Sequence, residues 1–230
     1  MAKLHQDLQD RLITCDLDDI PGFPACIVEA KLYDLDQHFR DEINTIYDDL
    51  DARLRDPHRS EMVEIMHARE RVELFKVPLM HQLIPDLIEE GKSVVVFVNF
   101  RQTCLRLHEW ASQTFDGASI VIGDQPQEVR DHNVQQFQHN RTHVMIAMSQ
   151  AGGVGISLHD LHHERPRISL IFPGWSAVHT KQCLGRIHRA GGTPAIQRFC
   201  LAAGTVEERV YRAIQNKLIN IEALNDGDLV

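Results

Sequence analysis

The run QCLGRIHR gathers Gln182, Gly185, Arg186, His188 and Arg189, and the glycine-rich segment SQAGGVGIS begins upstream of it at Ser149. In a helical setting Gln182, Arg186 and Arg189 share one face, at i, i+4 and i+7. Two guanidiniums on one face suit a polyphosphate. A phosphoryl group in transfer spreads charge over three oxygens, and permanently ionised planar forks stabilise it better than mobile ammonium groups. Gly152, Gly153 and Gly155 suit a loop whose backbone takes positive φ or approaches a ligand closely. They do not form G-x-G-x-x-G, and no acidic ribose ligand stands at the matching spacing, which argues against a dinucleotide fingerprint. The competing reading is a surface helix whose arginines pair with carboxylates.

These residues need a scaffold. Residues 93–98, SVVVFV, form a continuous β-branched apolar run, as expected of a strand buried on both faces. Further strands are predicted at 118–122, 143–148, 168–172 and 196–201. Helices are predicted at 101–113, 126–139 and 205–224, the last opened by Thr205 and Glu208 as a capping box. This alternation predicts an α/β fold with a doubly wound, mostly parallel sheet. Ligands of such sheets bind beyond the carboxyl ends of the strands. Asn99, Gly123, Ser149 and Gly174 each follow a predicted strand, so they mark one functional rim.

Ahead of the sheet lies an acidic arm. Residues 1–70 hold 17 acidic and 8 basic side chains, whereas residues 71–230 hold 16 of each, so the net charge of -9 belongs to the first segment. A groove for nucleic acid needs local positive charge, not a basic total. Lys92, Arg101 and Arg130 are the candidates for it near the rim. Leu4, Leu8 and Leu12 predict a helix over 2–12, which the stretch DIPGFPAC breaks. Leu32, Leu35, Phe39, Ile43, Ile46, Tyr47, Leu50 and Leu54 predict an amphipathic helix over 29–55, stopped at Asp56-Pro57. Ser60 is an N-cap candidate for a helical stretch reaching Ile88 and interrupted near Pro78 and Pro85. The division expected is a helical connector over 1–59 and an α/β domain over 60–230.

With 43% hydrophobic residues in 230, the chain can bury a proper core. No apolar run is long enough to span a bilayer, and the first residues lack an apolar signal core. Cys15, Cys26, Cys104, Cys183 and Cys200 show no C-x-x-C pairing and read as reduced thiols, so an intracellular, reducing location is expected. His159, Asp160, His162 and His163 read as structural or solvated residues and not as a metal set. His188 either positions its flanking arginines or packs, and Trp175 with Phe172 is either a base-stacking platform or an apolar anchor.

Three segments together resemble superfamily-two helicases and translocases, most of all Swi/Snf-type remodelling ATPases and related viral and bacterial helicases. VVVFVNF is similar to their fourth motif, SQAGGVGIS to the fifth and QCLGRIHR to the sixth. The resemblance implies the second RecA-like lobe of an ATP-dependent motor, with residues 1–59 as the connector from the first lobe. Arg186 and Arg189 would be arginine fingers, and Gln182 would contact phosphates or the facing lobe. Gly153, Gly155, Ser157 and Gly185 would lie on the nucleotide side, Ser157 standing where some relatives carry an Asp or Asn that senses the ribose. Ser149, Asn99, Phe100, Arg101, Gly123 and Arg130 would line the nucleic-acid groove, with DNA expected ahead of RNA. The sequence contains no G-x-x-x-x-G-K-[ST] and no strand ending in D-E-x-x, so ATP and Mg2+ are expected only together with a first lobe. Two other classes remain: a catalytically silent helicase-like lobe acting as an interaction module, and a small-molecule transferase, for which ligand binding by the chain alone would be the sign.

Overall fold

The computed structural model describes residues 20–53, 61–152 and 155–226. The helix predicted at 2–12, the Asp56-Pro57 stop, the Ser60 cap and Gly153 lie outside them. Six strands form one all-parallel sheet: β1 (Cys26–Tyr33), β2 (Ser93–Val98), β3 (Ser119–Val121), β4 (Val144–Met148), β5 (Arg167–Ile171) and β6 (Ala195–Ala202). They lie in the order β1-β6-β5-β2-β4-β3 and every pair is parallel. The doubly wound α/β expectation therefore holds, and every strand delivers its carboxyl end to one rim.

Eight described helices accompany the sheet: α1 (Gln37–Arg53), α2 (Glu61–Phe75), α3 (Val77–Glu89), α4 (Arg101–Thr114), α5 (Gln127–Gln138), α6 (Ser149–Gly152), α7 (Ala177–Leu184) and α8 (Glu207–Asp226). The pleat sorts β2 between two core layers. Val94, Val96 and Val98 pack with Ile43, Val72, Met80, Ile84 and Leu107 of α1 to α4, while Val95 and Phe97 pack with Phe137, Cys183 and Ile187 on the other face. This two-sided burial is why the SVVVFV run shows no polar alternation.

One predicted element is corrected. The stretch read as the first part of a helix over 29–55 is the edge strand β1, and the helix starts only at Gln37. The segment CIVEAKLY pairs in eight-residue register with β6, and Arg198 of β6 meets Glu29 at 2.5 Å. A half-exposed edge strand tolerates Glu29 and Lys31 within it, and those charges let a helical period swallow it. The break expected near Pro78 falls at Lys76, between α2 and α3, with Pro78 in the first turn of α3, where a missing N–H costs nothing. At α8 the Thr205 hydroxyl accepts from Glu207 N–H (3.3 Å), and Glu208 returns to Gly204 N–H (2.8 Å), one residue earlier than a strict capping box.

Candidate functional site

The arginine pair is assembled by a loop, not by a helical face. Ser176 caps α7 by accepting from His179 N–H at 3.3 Å, but the helix stops at Leu184 with Gly185 as its C-cap. Arg186 and Arg189 therefore lie beyond the helix, and the i, i+4, i+7 setting with Gln182 is corrected. They nonetheless converge. Arg186 Nη1 donates to the Ile156 carbonyl at 3.1 Å, and Arg189 Nη2 donates to the same oxygen at 3.4 Å. Their Nε atoms are tied to Gln182 O (2.9 Å) and Gly185 O (3.0 Å). The backbone closes the assembly, with Leu158 N–H on Arg186 O at 2.9 Å. Gly155 turns the loop at φ +73°, a conformation that disfavours L side chains. Partial burial lowers the Arg186 pKa, and the neighbouring Arg189 charge lowers it further. Two guanidiniums thus stand beside each other and concentrate positive charge at this loop. Ser157 is half-buried, and its carbonyl accepts from Gln138 Nε2 at 2.6 Å.

Around the rim, the predicted groove residues divide. Ser149 is buried, and its hydroxyl donates to Val98 O at 3.1 Å. Asn99 and Phe100 face inward onto Glu73 of α2. Its carboxylate accepts Asn99 N–H at 2.9 and 3.1 Å, Phe100 N–H at 3.0 Å and Asn99 Nδ2 at 2.8 Å. A carboxylate from another helix thus fills the N-terminus of α4, where backbone donors and the helix dipole favour an anion. Asn99 Nδ2 also reaches Phe172 O (3.4 Å) and Pro173 O (3.3 Å), and a Cβ on Gly174 would stand 2.9 Å from Asn99 Oδ1. Glycine at 174 is what allows that approach. Arg101 is exposed and ion-paired with Asp124, while Arg130 Nη2 donates to Ile122 O (3.4 Å) and Gly123 O (3.5 Å) beside the exposed Gly123. Lys92 is corrected as a rim residue: it precedes β2, at the opposite end of the sheet, and pairs with Glu90.

Sequence reasoning missed a buried charge ladder under this rim. Arg69, Glu73 and Lys76 fall at i, i+4 and i+7 on the inner stripe of α2 and its end, and Lys76 Nζ pairs with Glu207 at 2.6 Å with both side chains buried. Burial pushes the Glu73 carboxyl up, opposed by Lys76 and the N–H donors of Asn99 and Phe100. The signal was present in the sequence, because these charges occupy the same period as Val72 and Val77. Beside the ladder a cavity of about 270 Å³ opens at the rim, lined among others by Arg69, Asn99, Ser149, Trp175 and Thr180. Phe172 is excluded as a stacking surface, since it is 1% exposed beneath Lys76, whose Nζ lies 4.3 Å from the ring centroid; Trp175 is 48% exposed. His188 packs, with its ring against Phe23 and Nε2 2.7 Å from Pro24 O. Asp160 organises its own loop, accepting from His162 N–H, Arg165 N–H and the Thr193 hydroxyl.

A family model described as the helicase conserved C-terminal domain matches residues 76–191, half of the chain. The chain belongs to this helicase family. A protein of Acanthamoeba polyphaga mimivirus that carries an ATP-dependent RNA helicase name is 39% identical over 174 residues, 74% of this helicase chain and 32% of that protein. The DNA excision repair protein ERCC-6-like of Mus musculus is 26% identical over 145 residues, 60% of this chain and 11% of the relative. The SWI2/SNF2 ATPase core domain of Sulfolobus solfataricus superposes with a TM-score of 0.65 at 15% identity, covering 88% of this chain and 45% of that one. The chain thus has the RecA-like C-terminal lobe fold and spans a third or less of these curated relatives. No helix among its described residues is long and apolar enough to cross a membrane.

Proposed function

We propose that this chain is the second motor lobe of an ATP-dependent nucleic-acid helicase or translocase, with Arg186 and Arg189 as its arginine fingers. The convergence of both guanidiniums on the Ile156 carbonyl carries the reading. It holds two forks side by side, next to a glycine-turned loop, with Arg186 also tied to a carbonyl in the last turn of α7. Such a donor set fits the phosphate end of a nucleotide and does not fit a hard cation, which takes oxygen ligands. Mg2+ and the phosphate cradle accordingly belong to a first lobe, in the same longer protein or in a partner. ATP held there supplies the phosphoryl group; this chain's part is to neutralise charge as it spreads over the phosphoryl oxygens. Gln182 lies in the last turn of α7, where its carbonyl orients Arg186. The expected connector over 1–59 is in part this lobe's own structure, since β1 joins its sheet and α1 its core.

The rim is proposed to face nucleic acid, with Arg101, Gly123 and Arg130 at its accessible edge. DNA stands ahead of RNA on the likeness to Swi/Snf-type proteins, and the mimivirus relative's name makes RNA the comparison to run alongside.

The experiment is Arg189→Ala in a protein carrying both lobes. Turnover should fall by about 10³-fold or more while ATP affinity changes little, because the contact is made mainly in the transition state. Arg189→Lys should not rescue it, since the fork is lost. A kcat within about threefold of the parent, under about 1 kcal/mol of barrier, would remove the arginine-finger assignment. In that event the silent interaction-module reading takes its place.

A further inference from the structure

We propose that Arg69 is a phosphate-binding residue of the nucleic-acid groove, gripped between the rings of Phe100 and Trp175 and presented at the mouth of the rim cavity. The inference rests on the nucleic-acid reading of the rim and deepens it with a residue from α2, outside the segments that resemble helicase motifs.

The inner stripe of α2 carries three charges, and two are satisfied within the protein. Lys76 pairs with Glu207, and Glu73 accepts the N–H groups of Asn99 and Phe100. Arg69 differs. Among the described residues no carboxylate lies within ion-pair distance of it, and its hydrogen-bond contact is a weak one, to Met66 Sδ at 3.9 Å. Glu73, one turn along α2, attracts this half-buried guanidinium without pairing with it, and the remaining solvation cost is one that a bound anion would offset.

The guanidinium is also held in place. Its Cζ lies 5.6 Å from the Phe100 ring centroid and 5.4 Å from that of Trp175. Cation–π contacts of this kind orient the planar group without consuming its N–H donors. Phe100 is fixed through Glu73, and Trp175 follows the Gly174 turn locked onto Asn99, so the whole grip is pre-formed. An oriented fork with most of its donors uncommitted matches a phosphate's oxygens in a bidentate manner.

Location selects the phosphate's source. The cavity beside Arg69 opens at the carboxyl ends of the strands and offers the exposed face of Trp175 together with Asn99, Ser176 and Thr180. Val72, one turn along α2 from Arg69, packs in the core layer of α1 to α4, whereas Ile187, between Arg186 and Arg189, packs in the opposite layer. Arg69 is therefore attached to the opposite face of the sheet from the Arg186–Arg189 pair. A phosphodiester beside an exposed indole is the chemistry of a nucleic-acid strand.

The test is fluorescence anisotropy of the 230-residue chain with labelled duplex DNA, single-stranded DNA and RNA, over salt from about 30 to 300 mM. Losing one phosphate contact should lower the log–log salt slope of Arg69→Gln by about 0.9 on duplex or about 0.7 on a single strand. Arg69→Lys should keep most of the slope and bind severalfold more weakly. A Trp110→Phe background leaves Trp175 as the single indole, and its emission should change on binding. Melting curves establish that each variant is folded, and Arg69→Lys decides the matter if Arg69→Gln does not fold. Parent-like affinity and slope in the folded variants would overturn the proposal while leaving the groove reading intact. Weakened association with a first lobe at an unchanged salt slope would instead assign Arg69 to a carboxylate on that lobe, and also overturns it. A parent chain that binds no nucleic acid even at low salt would refute the groove reading and this one with it.

Discussion

Replacing Glu73 by Gln should loosen the rim at its root. The carboxylate is 4% exposed, and it is the acceptor for two backbone N–H groups, those of Asn99 and Phe100, and for Asn99 Nδ2. Gln keeps the volume but offers one acceptor oxygen in place of two and turns an NH2 toward the donors. An oxygen at the Oε1 position still accepts both backbone N–H groups, but the NH2 then faces Asn99 Nδ2 and the second contact of Asn99 N–H, at about 1–3 kcal/mol, and the favourable charge at the N-terminus of α4 is lost, at about 0.3–1 kcal/mol. Some of this returns, because the variant no longer buries a charge whose pKa burial has raised. A net loss of about 2–3 kcal/mol is expected, and for a chain of this size that lowers Tm by roughly 4–12 °C. Thermal unfolding followed by circular dichroism measures it. Amide exchange at Asn99 and Phe100 localises it, since those two sites should lose protection before the interior of β2 does. A Tm within about 2 °C of the parent, with protection at Asn99 and Phe100 unchanged, would show that α4 is held by something other than this carboxylate.

Two further outcomes are expected. Lys76→Met and Glu207→Gln should each cost about 3–5 kcal/mol by stranding a buried charge, while the double variant should cost clearly less than their sum; additivity in urea unfolding would break the pairing argument. Burial, reinforced by nearby guanidiniums, lowers the pKa values of His143 and His159 below the ordinary 6.5. The unfolded chain therefore takes up protons first, so this stability is complete above about pH 6.5 and is lost as pH falls below it toward the depressed native values. His159→Gln should flatten the decline in Tm between about pH 6.5 and 5, and an unchanged pH profile would remove His159 from that role.

The sheet was readable where burial is two-sided. The strands β2 and β4 are apolar runs without alternation, because a parallel strand between helix layers has no solvent face to mark, and β5 is buried throughout although it carries Arg167 and Ser169. The edge strand β1 was not, since it carries the partly buried Glu29 and the exposed Lys31 and no pattern reports that its partner is β6. The arginine pair was recognised from its residues but misplaced, as the helical period ran through Gly185, where α7 ends. What joins the pair, the Ile156 carbonyl, has no side-chain signature at all. Arg69, Glu73 and Lys76 went unseen for a different reason. A charge on a helix is taken for solvated unless its partner is known, and theirs come from Asn99 to Phe100, Trp175 and Glu207, far along the chain.

The pairing of β1 with β6 has a consequence for how the molecule is made. Glu29 and Arg198, which meet across that pair, stand 169 residues apart. A ribosome adding about 5–20 residues per second releases β6 roughly 8–34 s after β1. For that interval Ile27, Val28 and Leu32 belong to a strand whose one hydrogen-bonded neighbour among the described residues is not yet made, and they stay more than half exposed even after it docks. The nascent chain thus carries an adhesive strand while the 169 residues up to Arg198 are made, and the dense negative charge of residues 1–70 favours its staying soluble until β6 arrives.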